Sequence, residues 1–290
     1  MKVSGFTFIR NAIKFDYPVT ESIRSILPVC DEFIVSVGNS EDNTLELIKS
    51  IDSPKIKIIE SVWDDSLREG GRVLAVETDK AFKAVAADSD WAFYIQADEV
   101  YHEKFLPVIH EGMIRWKDDK RVEGLLFNHT NFYGSYDYVA ASRKWQYDEI
   151  RVIRNDKEIT SWKDAMSFRK KGQKLHVKVV DASIYHYGWI KTPAAMQKKL
   201  VSFNKLWHDD SWIEVNLPKV DEFDYSNIDT LIKFKGTHPE VMKPRIEKMN
   251  WKFTFDPTKG KSTSFRIWLL NFIYLKTGLH IGKNKNYKLI

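Results

Sequence analysis

The run Trp91-Ala92-Phe93-Tyr94-Ile95-Gln96-Ala97-Asp98-Glu99 is apolar and aromatic, of strand type, and ends in two adjacent carboxylates. In open α/β sheets ligands bind outside the carboxyl ends of the strands, so an acidic pair there reads as part of a cleft. A carboxylate held at such a place suits a hard divalent cation, and that cation in turn suits the oxygens of a diphosphate. The same residues also read as an exposed acidic turn after an ordinary strand. His186, between Tyr185 and Tyr187, reads by itself as a core histidine hydrogen-bonded beside two aromatics.

The elements that must position these groups are legible as an alternation of strand and helix patterns over the first hundred residues, which implies a mostly parallel sheet covered by helices. Val3 to Ile9 is the first strand. Pro18 to Leu27 is helical, with Ile23, Ile26 and Leu27 on one face and a proline near its start. Phe33 to Val37 is a second strand, and Gly38 to Asn43 turns into a helix bearing Leu45, Ile48 and Ile51. Lys55 to Glu60 alternates as a third strand, and a helical segment from Gly71 to Ala87 leads to the fourth, ending at Asp98. The texture then changes to mixed strands and loops rich in aromatics: Gly124 to Phe127, an Asn131 to Tyr138 loop, Trp145 to Arg154, and Ala182 to Tyr187. Pro193 to Trp207 reads as helix, Asp209 to Asp224 as irregular, and Asn227 to Phe234 and Pro239 to Lys248 as helix. Phe265 to Leu275 is far shorter than a bilayer span; it reads first as a segment buried on the main domain, second as one docked on a membrane surface.

The chain has 290 residues, enough for a large core without staples. A single cysteine, Cys30, excludes a disulfide framework and a cysteine zinc site and points to a reducing compartment. The opening apolar run is too short for a signal-peptide core and is broken by Arg10, which leads us to expect a cytoplasmic protein. The formal charge of +5 is spread along the chain except for a basic finish at Lys283, Lys285 and Lys288. It favours anionic substrates or lipid headgroups, and the aromatics sit in apolar runs without clustered Lys or Arg, so no nucleic-acid partner is expected. No Gly-x-Gly-x-x-Gly follows the first strand, where Phe8-Ile9-Arg10-Asn11 stands instead; a large side chain there keeps a pyrophosphate from the backbone. A P-loop, a His-Glu-x-x-His motif and the Gly-rich basic first loop of a nucleotidyltransferase are likewise absent.

Taken in order, these segments resemble the family 2 glycosyltransferases of GT-A fold, inverting enzymes that use nucleotide sugars. The resemblance covers roughly residues 1 to 190. It rests on Val3 to Ile9 with Arg10-Asn11, on Phe33-Ile34-Val35-Ser36-Val37-Gly38-Asn39-Ser40-Glu41-Asp42-Asn43-Thr44, and on Ile95-Gln96-Ala97-Asp98-Glu99 where the family has its Asp-x-Asp motif. Glu149-Ile150-Arg151-Val152-Ile153-Arg154 and Ile184-Tyr185-His186-Tyr187-Gly188-Trp189 look like later segments. Two positions depart: Val37 stands where the family often has a base-binding Asp, and Gln96 replaces the first acid of the motif.

The resemblance implies a GT-A (Rossmann-like) α/β domain over 1–225, with a nucleotide-sugar half (1–100) and an acceptor half (101–225), and a C-terminal helical extension over 226–290. It implies a nucleotide-sugar donor, first among them a UDP-sugar, and a glycan or glycolipid acceptor, in the synthesis of a surface polysaccharide or lipopolysaccharide. Asp98 and His186 would hold Mn²⁺ or Mg²⁺ across the diphosphate. Asp164 would be the base for the acceptor hydroxyl, with Glu99 second in that role or as an orienter of acceptor or metal water. Phe8, Arg10, Asn11, Asn39, Asp65, Arg72, Gln96, Ala97 and Asp98 would line the donor site. Trp145, Trp162, Tyr187 and Trp189 would offer ring faces to the acceptor. Residues 265–290 would make any peripheral contact with the inner membrane face. The alternative is a non-catalytic sugar-nucleotide or carbohydrate-binding protein on the same scaffold, which Val37 and Gln96 favour and which retention of Asp98, Asp164 and His186 opposes.

Overall fold

The computed structural model describes residues 1–145, 147–226, 228, 230–255, 265–277, 282 and 285–290. Its first part is a run of apolar strands, each followed by a helix or turn that crosses back over the sheet. β1 (Val3–Ile9) leads to α1 (Val19–Ile26), β2 (Glu32–Gly38) to α2 (Thr44–Lys49), and β3 (Ile56–Ser61) to α3 (Arg72–Lys83) and β4 (Trp91–Tyr94). β1, β2, β3 and β4 pair in parallel in the order β3-β2-β1-β4. The side chains of β2 and β4 are buried throughout, as continuous apolar strands covered on both faces must be. Phe33, Val35, Trp91 and Phe93 face one core with Ile23 and Ile26 of α1, while Phe6, Ile34 and Tyr94 face the other with Ala81 and Phe82 of α3.

The order 3-2-1-4 means that the chain moves outward from β1, then returns to its other side. The carboxyl ends of β1 and β4 therefore flank a topological switch point, where the connections diverge and a crevice is left open. The Thr7 hydroxyl donates to the Ile95 carbonyl at 2.6 Å and ties the two ends together.

The second part bends the sheet into a mixed one. β5 (Glu99–Tyr101) and α4 (Leu106–Trp116) precede β6 (Gly124–Tyr133), β7 (Ser135–Ala140) and β8 (Asp148–Arg154). A small separate sheet follows, made of β9 (Ile159–Trp162), β10 (Ser167–Lys170) and β11 (Gln173–Lys174), and then the long β12 (His176–Trp189). β8 runs antiparallel between β4 and β6, and β12 pairs in parallel with β6 and antiparallel with β5. The remainder is α5 (Pro193–Asn204), α6 (Asp210–Asn216), β13 (Leu231–Lys233), α7 (Lys243–Glu247), α8 (Phe265–Thr277) and β14 (Lys288–Leu289). The mixed α/β architecture, a large sheet flanked by helices, is the one expected.

Several local expectations are corrected. The Asn131 to Tyr138 segment is not a loop but the β6–β7 hairpin, turned at Gly134, whose φ of 72° suits glycine. Asp209 to Asp224 contains α6, capped by the Asp209 carboxylate on the Trp212 amide at 2.8 Å. The expected Asn227 to Phe234 helix includes β13, which pairs antiparallel with β7; Asn227 and Asp229 lie outside the described residues. The default burial of the Phe265 to Leu275 segment is not seen: Trp268, Leu269 and Phe272 on α8 are exposed. Lys283 of the basic finish lies outside the described residues. Among the described residues no helix is long and apolar enough to cross a membrane.

Candidate active site

A cleft of about 290 Å³ opens at the carboxyl ends of β1 and β4. Its floor comes from two loops. Phe8, Ile9 and Arg10 close β1, and Gln96, Ala97 and Asp98 follow β4. α5 forms a wall through Met196, Lys199, Leu200 and Phe203, which share one face at three- and four-residue spacing.

Asp98 and His186, 88 residues apart in sequence, meet here because β5 and β12 are registered with Glu99 opposite His186, and the Tyr187 amide donates to the Asp98 carbonyl at 2.8 Å. Asp98 Oδ2 lies 3.5 Å from His186 Nε2 and 3.1 Å from Lys199 Nζ. Burial alone would push the Asp98 carboxyl up, but Lys199 and then His186 outweigh it and hold the group well below the usual carboxylate range. Asn131, in register with His186 on β6, places its amide oxygen 3.0 Å from Nδ1. An amide oxygen only accepts, so Nδ1 donates to Asn131, and Nε2 is the ring nitrogen that faces Asp98. Gly188 keeps this corner open: a Cβ there would lie 2.5 Å from Asp98 Oδ2 and 2.6 Å from His186 Nε2.

Asp164 reaches the same cleft from the β9–β10 hairpin. Both of its neighbours, Lys163 (φ 56°) and Ala165 (φ 63°), sit in the left-handed region without being glycine, so the turn holds Asp164 under backbone strain. Gly71 (φ 69°) lets the loop pack close, since a Cβ there would be 2.7 Å from Asp164 Cβ. Asp164 Oδ1 is buried with no hydrogen-bond partner among the described residues, and burial raises its carboxyl above the ordinary value. A carboxyl with a raised pKa on the lining of a cleft is suited to accept a proton. Gln96 Nε2 contacts the Ala165 carbonyl at 3.4 Å, so the Asp98 loop and the Asp164 loop brace each other.

Of the other expected site residues, Phe8, Arg10, Gln96, Ala97 and Trp189 line the cleft. Arg10 lies over the ring of Trp63 at 4.6 Å and pairs with Asp65 at 2.7 Å, which holds Asp65 at the rim. Asn11 and Asn39 are ties within the scaffold: Asn11 Oδ1 accepts from the Glu41 amide at 2.7 Å, and Asn39 Oδ1 from the Trp63 amide at 3.1 Å. Arg72 is exposed on α3 and does not line the cleft. Tyr187 is buried, stacked on Phe132 at 4.8 Å with its hydroxyl 2.9 Å from His238 Nδ1, which leaves no face for a sugar. Trp145 packs edge-on to Trp189 at 5.5 Å, outside the cleft lining, and Trp162 is exposed with Arg169 over its ring.

Glu99 is placed away from the acceptor as well. It is fully buried and grips Arg151 through two bonds of 2.7 and 2.8 Å, with His129 at 3.2 Å. Burial would raise its carboxyl, yet Arg151 and His129 hold it far below the ordinary range. It also accepts from the Gln96 amide at 3.1 Å and so fastens the turn that carries Asp98. A carboxylate so committed has no capacity to take a proton from a substrate.

Lys199 and Trp63 are among the lining residues that carried no functional expectation. Lys199 had one signal: it falls on the apolar face of the expected Pro193 helix, between Met196 and Leu200. Trp63 had none, because its place depends on Gly38, where a Cβ would meet Trp63 Nε1 at 2.3 Å.

The divalent ion implied by the resemblance can be tested against these donors. Among the described residues no three His, Cys, Asp or Glu side chains group to hold one. Asp98 and His186 are the two donors on the cleft, and the neutral Gln96, standing where a further acid would be, is turned to Ala165. Lys199 already occupies Asp98 Oδ2. The residues as arranged do not fit a divalent ion.

No protein-family model matches the chain. No curated protein matches it. Among solved structures it is similar to S. aureus TarS, at 14% identity and a TM-score of 0.39, over 70% of this chain and 39% of that one. It is also similar to 4-diphosphocytidyl-2C-methyl-D-erythritol synthase from Anaerococcus prevotii, at 12% identity and a TM-score of 0.40, over 70% of this chain and 94% of that one. A third is glucosyl-3-phosphoglycerate synthase from Mycobacterium tuberculosis in complex with Mn²⁺, UDP and phosphoglyceric acid, at 19% identity and a TM-score of 0.30, over 46% of this chain and 43% of that one. The chain thus spans about two fifths of the TarS chain. The chemistry of the site rests on its own residues.

Proposed function

We propose that the chain is a glycosyltransferase of GT-A type that moves a sugar from a nucleoside diphosphate sugar to a hydroxyl of a glycan or glycolipid, with inversion at the anomeric carbon. One observation carries this reading: a single cleft at the β1–β4 switch point is lined by a charge-fixed cluster at Asp98 and, from a strained loop, by the carboxyl of Asp164. Transfer needs a group that meets a leaving diphosphate and a base for the incoming hydroxyl, set apart on one cavity. The bond from acceptor oxygen to anomeric carbon forms as the bond to the diphosphate oxygen breaks. The electron pair leaves with the diphosphate, and the acceptor proton goes to Asp164. Trp63 and Phe8, 5.7 Å apart, with Arg10 over the Trp63 ring, give an aromatic and cationic wall that suits a nucleotide base. Trp189 suits the acceptor sugar. In this reading UDP is the first nucleotide to test, residues 1–225 form the catalytic domain, and the place of action is the cytoplasm, in surface-glycan synthesis. The exposed Trp268, Leu269 and Phe272 of α8 are the part of 226–290 that suits peripheral contact with a membrane.

A thermal-shift panel with UDP, GDP, CMP and dTDP tests the reading. One nucleotide should raise the melting temperature, since a ligand at a hundred times its Kd adds about 2.7 kcal/mol, and Asp98→Asn should reduce that shift. If no nucleotide moves the curve of the wild-type chain either in EDTA or with MnCl₂, the transferase reading fails.

A further inference from the structure

Lys199 is an unusual lysine. α5 lays its apolar face against the cleft, and a lysine on such a face ordinarily snorkels its ammonium to water. Here the side chain is only 13% exposed and runs inward to Asp98. Nζ donates to Asp98 Oδ2 at 3.1 Å and to the Gly188 carbonyl at 2.9 Å, and lies 4.9 Å from the centre of the Tyr17 ring. An ammonium has three N–H donors. Two are taken by these oxygens, and among the described residues no acceptor holds the third, although Lys199 lines the cleft. His186 Nε2 lies 3.5 Å from the same Oδ2, so the carboxylate that aims Lys199 is itself fixed from β12 as well as from α5.

We infer that the Lys199 ammonium, aimed by Asp98 and Gly188, is the cation that meets the donor's diphosphate, so that nucleotide binding and transfer proceed without a divalent ion. The inference rests on the reading of the cleft as a nucleotide-sugar site. Its physical basis is preorganisation. A fixed N–H donor in a partly water-excluded cleft need not reorganise as charge grows on the leaving oxygen, and it is worth more there than in bulk water. No proton or electron is exchanged at Lys199. The electron pair of the broken bond stays on the diphosphate oxygen, Nζ donates a hydrogen bond to it, and the acceptor proton is accounted for at Asp164. In place of a metal whose ligands would be Asp98, His186 and the phosphates, the chain supplies the charge from α5.

The test is calorimetric titration of the full chain with UDP, GDP and dTDP, each in EDTA and again with MnCl₂. One nucleotide should bind with affinities equal to within about twofold in the two buffers. Lys199→Met should weaken that binding in EDTA by about 10- to 100-fold, the loss expected for one charge-assisted hydrogen bond, and Lys199→Arg should recover most of it. Melting curves of the free proteins show whether each variant is folded. If Lys199→Met does not fold, the wild-type comparison of the two buffers decides. Wild-type binding that appears only with Mn²⁺, or folded Lys199→Met that binds as tightly as wild type in EDTA, overturns the inference while leaving the transferase reading intact. Absence of binding in both buffers overturns that reading and the inference with it.

Discussion

Asp98 and Glu99 are neighbours in sequence and opposites in circumstance. Asp98 opens on the cleft and is held by a lysine and a histidine from two other elements; Glu99 points into the sheet, fully buried, and is spent on Arg151 and His129. Asp98 sits in the turn closed by the Glu99 amide on the Gln96 carbonyl, whereas Glu99 opens β5, so the two adjacent acids serve different sides. The cleft-side acids, Asp98 and Asp164, serve the site, Asp98 through the Lys199 it holds, whereas the sealed ones, Glu99 and Glu149, are absorbed by structure. Function and stability should therefore separate cleanly between the two groups.

The largest expected effect is on the cleft side. Asp164→Asn should lower turnover of the donor in the presence of acceptor by about 10²- to 10⁴-fold while leaving the donor's KM nearly unchanged. The same change should stabilise the fold at neutral pH. Burial raises the Asp164 carboxyl, so its favourable contribution is complete below the unfolded value and is lost as pH rises through the folded one. Turnover of the wild type should rise with pH along an acid limb displaced above the ordinary carboxylate range. A limb at the ordinary aspartate value would remove Asp164 from the role.

On the sealed side the order reverses. Glu99→Gln leaves the Arg151 guanidinium buried without its partner and should cost about 3–5 kcal/mol in urea denaturation, against a total of about 5–15 kcal/mol for a typical protein. Replacing both, Glu99→Gln with Arg151→Met, should recover part of that loss. Turnover that falls in Glu99→Gln at unchanged stability would break the division between the two groups.

How much of this was legible in the sequence follows the same division. The parallel half was, because β1 to β4 are runs of apolar side chains whose period and turns are local properties. Asp98 at the end of such a run was legible for that reason, and so was the convergence of His186 once the resemblance supplied it. The direction in which Glu99 points was not, because it depends on a partner 52 residues away. β13 was read as helix because its three residues owe their strand to pairing with β7, a long-range contact that outweighs local propensity. Lys199 was passed over because a lysine on an apolar helix face has an ordinary explanation until the residue opposite is known. The Tyr187 expectation failed for the same reason as Glu99: its ring belongs to the face of β12 that packs on Phe132.

A mid-sized effect sharpens the boundary itself. Gly188→Ala would put a methyl group 2.5 Å from Asp98 Oδ2, and a packed site forced apart costs about 1–3 kcal/mol. Nucleotide binding, read by calorimetry, should fall with it, because the atoms that must move are those of Asp98 and His186. Glu149 gives a pH counterpart on the sealed side. Burial pushes it up to about 8 although Arg151 lies 3.5 Å away, since that guanidinium is committed to Glu99. Its folded value lies above the unfolded one, so its contribution is complete below the unfolded value and declines as pH rises through about 8. Urea midpoints should thus drop between neutral pH and pH 9, and Glu149→Gln should flatten the drop.

The smallest effect concerns the rim. Arg10 reaches the cleft over Trp63 and is tied to Asp65, whose side chain is 65% exposed. An ion pair with one partner so exposed is worth less than about 1 kcal/mol. Asp65→Asn should leave the urea midpoint almost unchanged, because Trp63 still supports the guanidinium. If Asp65 only steadies Arg10, affinity for the preferred nucleotide should change less than about twofold and preference among UDP, GDP and dTDP should persist. If Asp65 reads the base, that preference collapses with stability untouched. The rim then joins Asp98 and Asp164 among the acids that serve the ligand, and the division between open and sealed acids extends beyond the cleft floor.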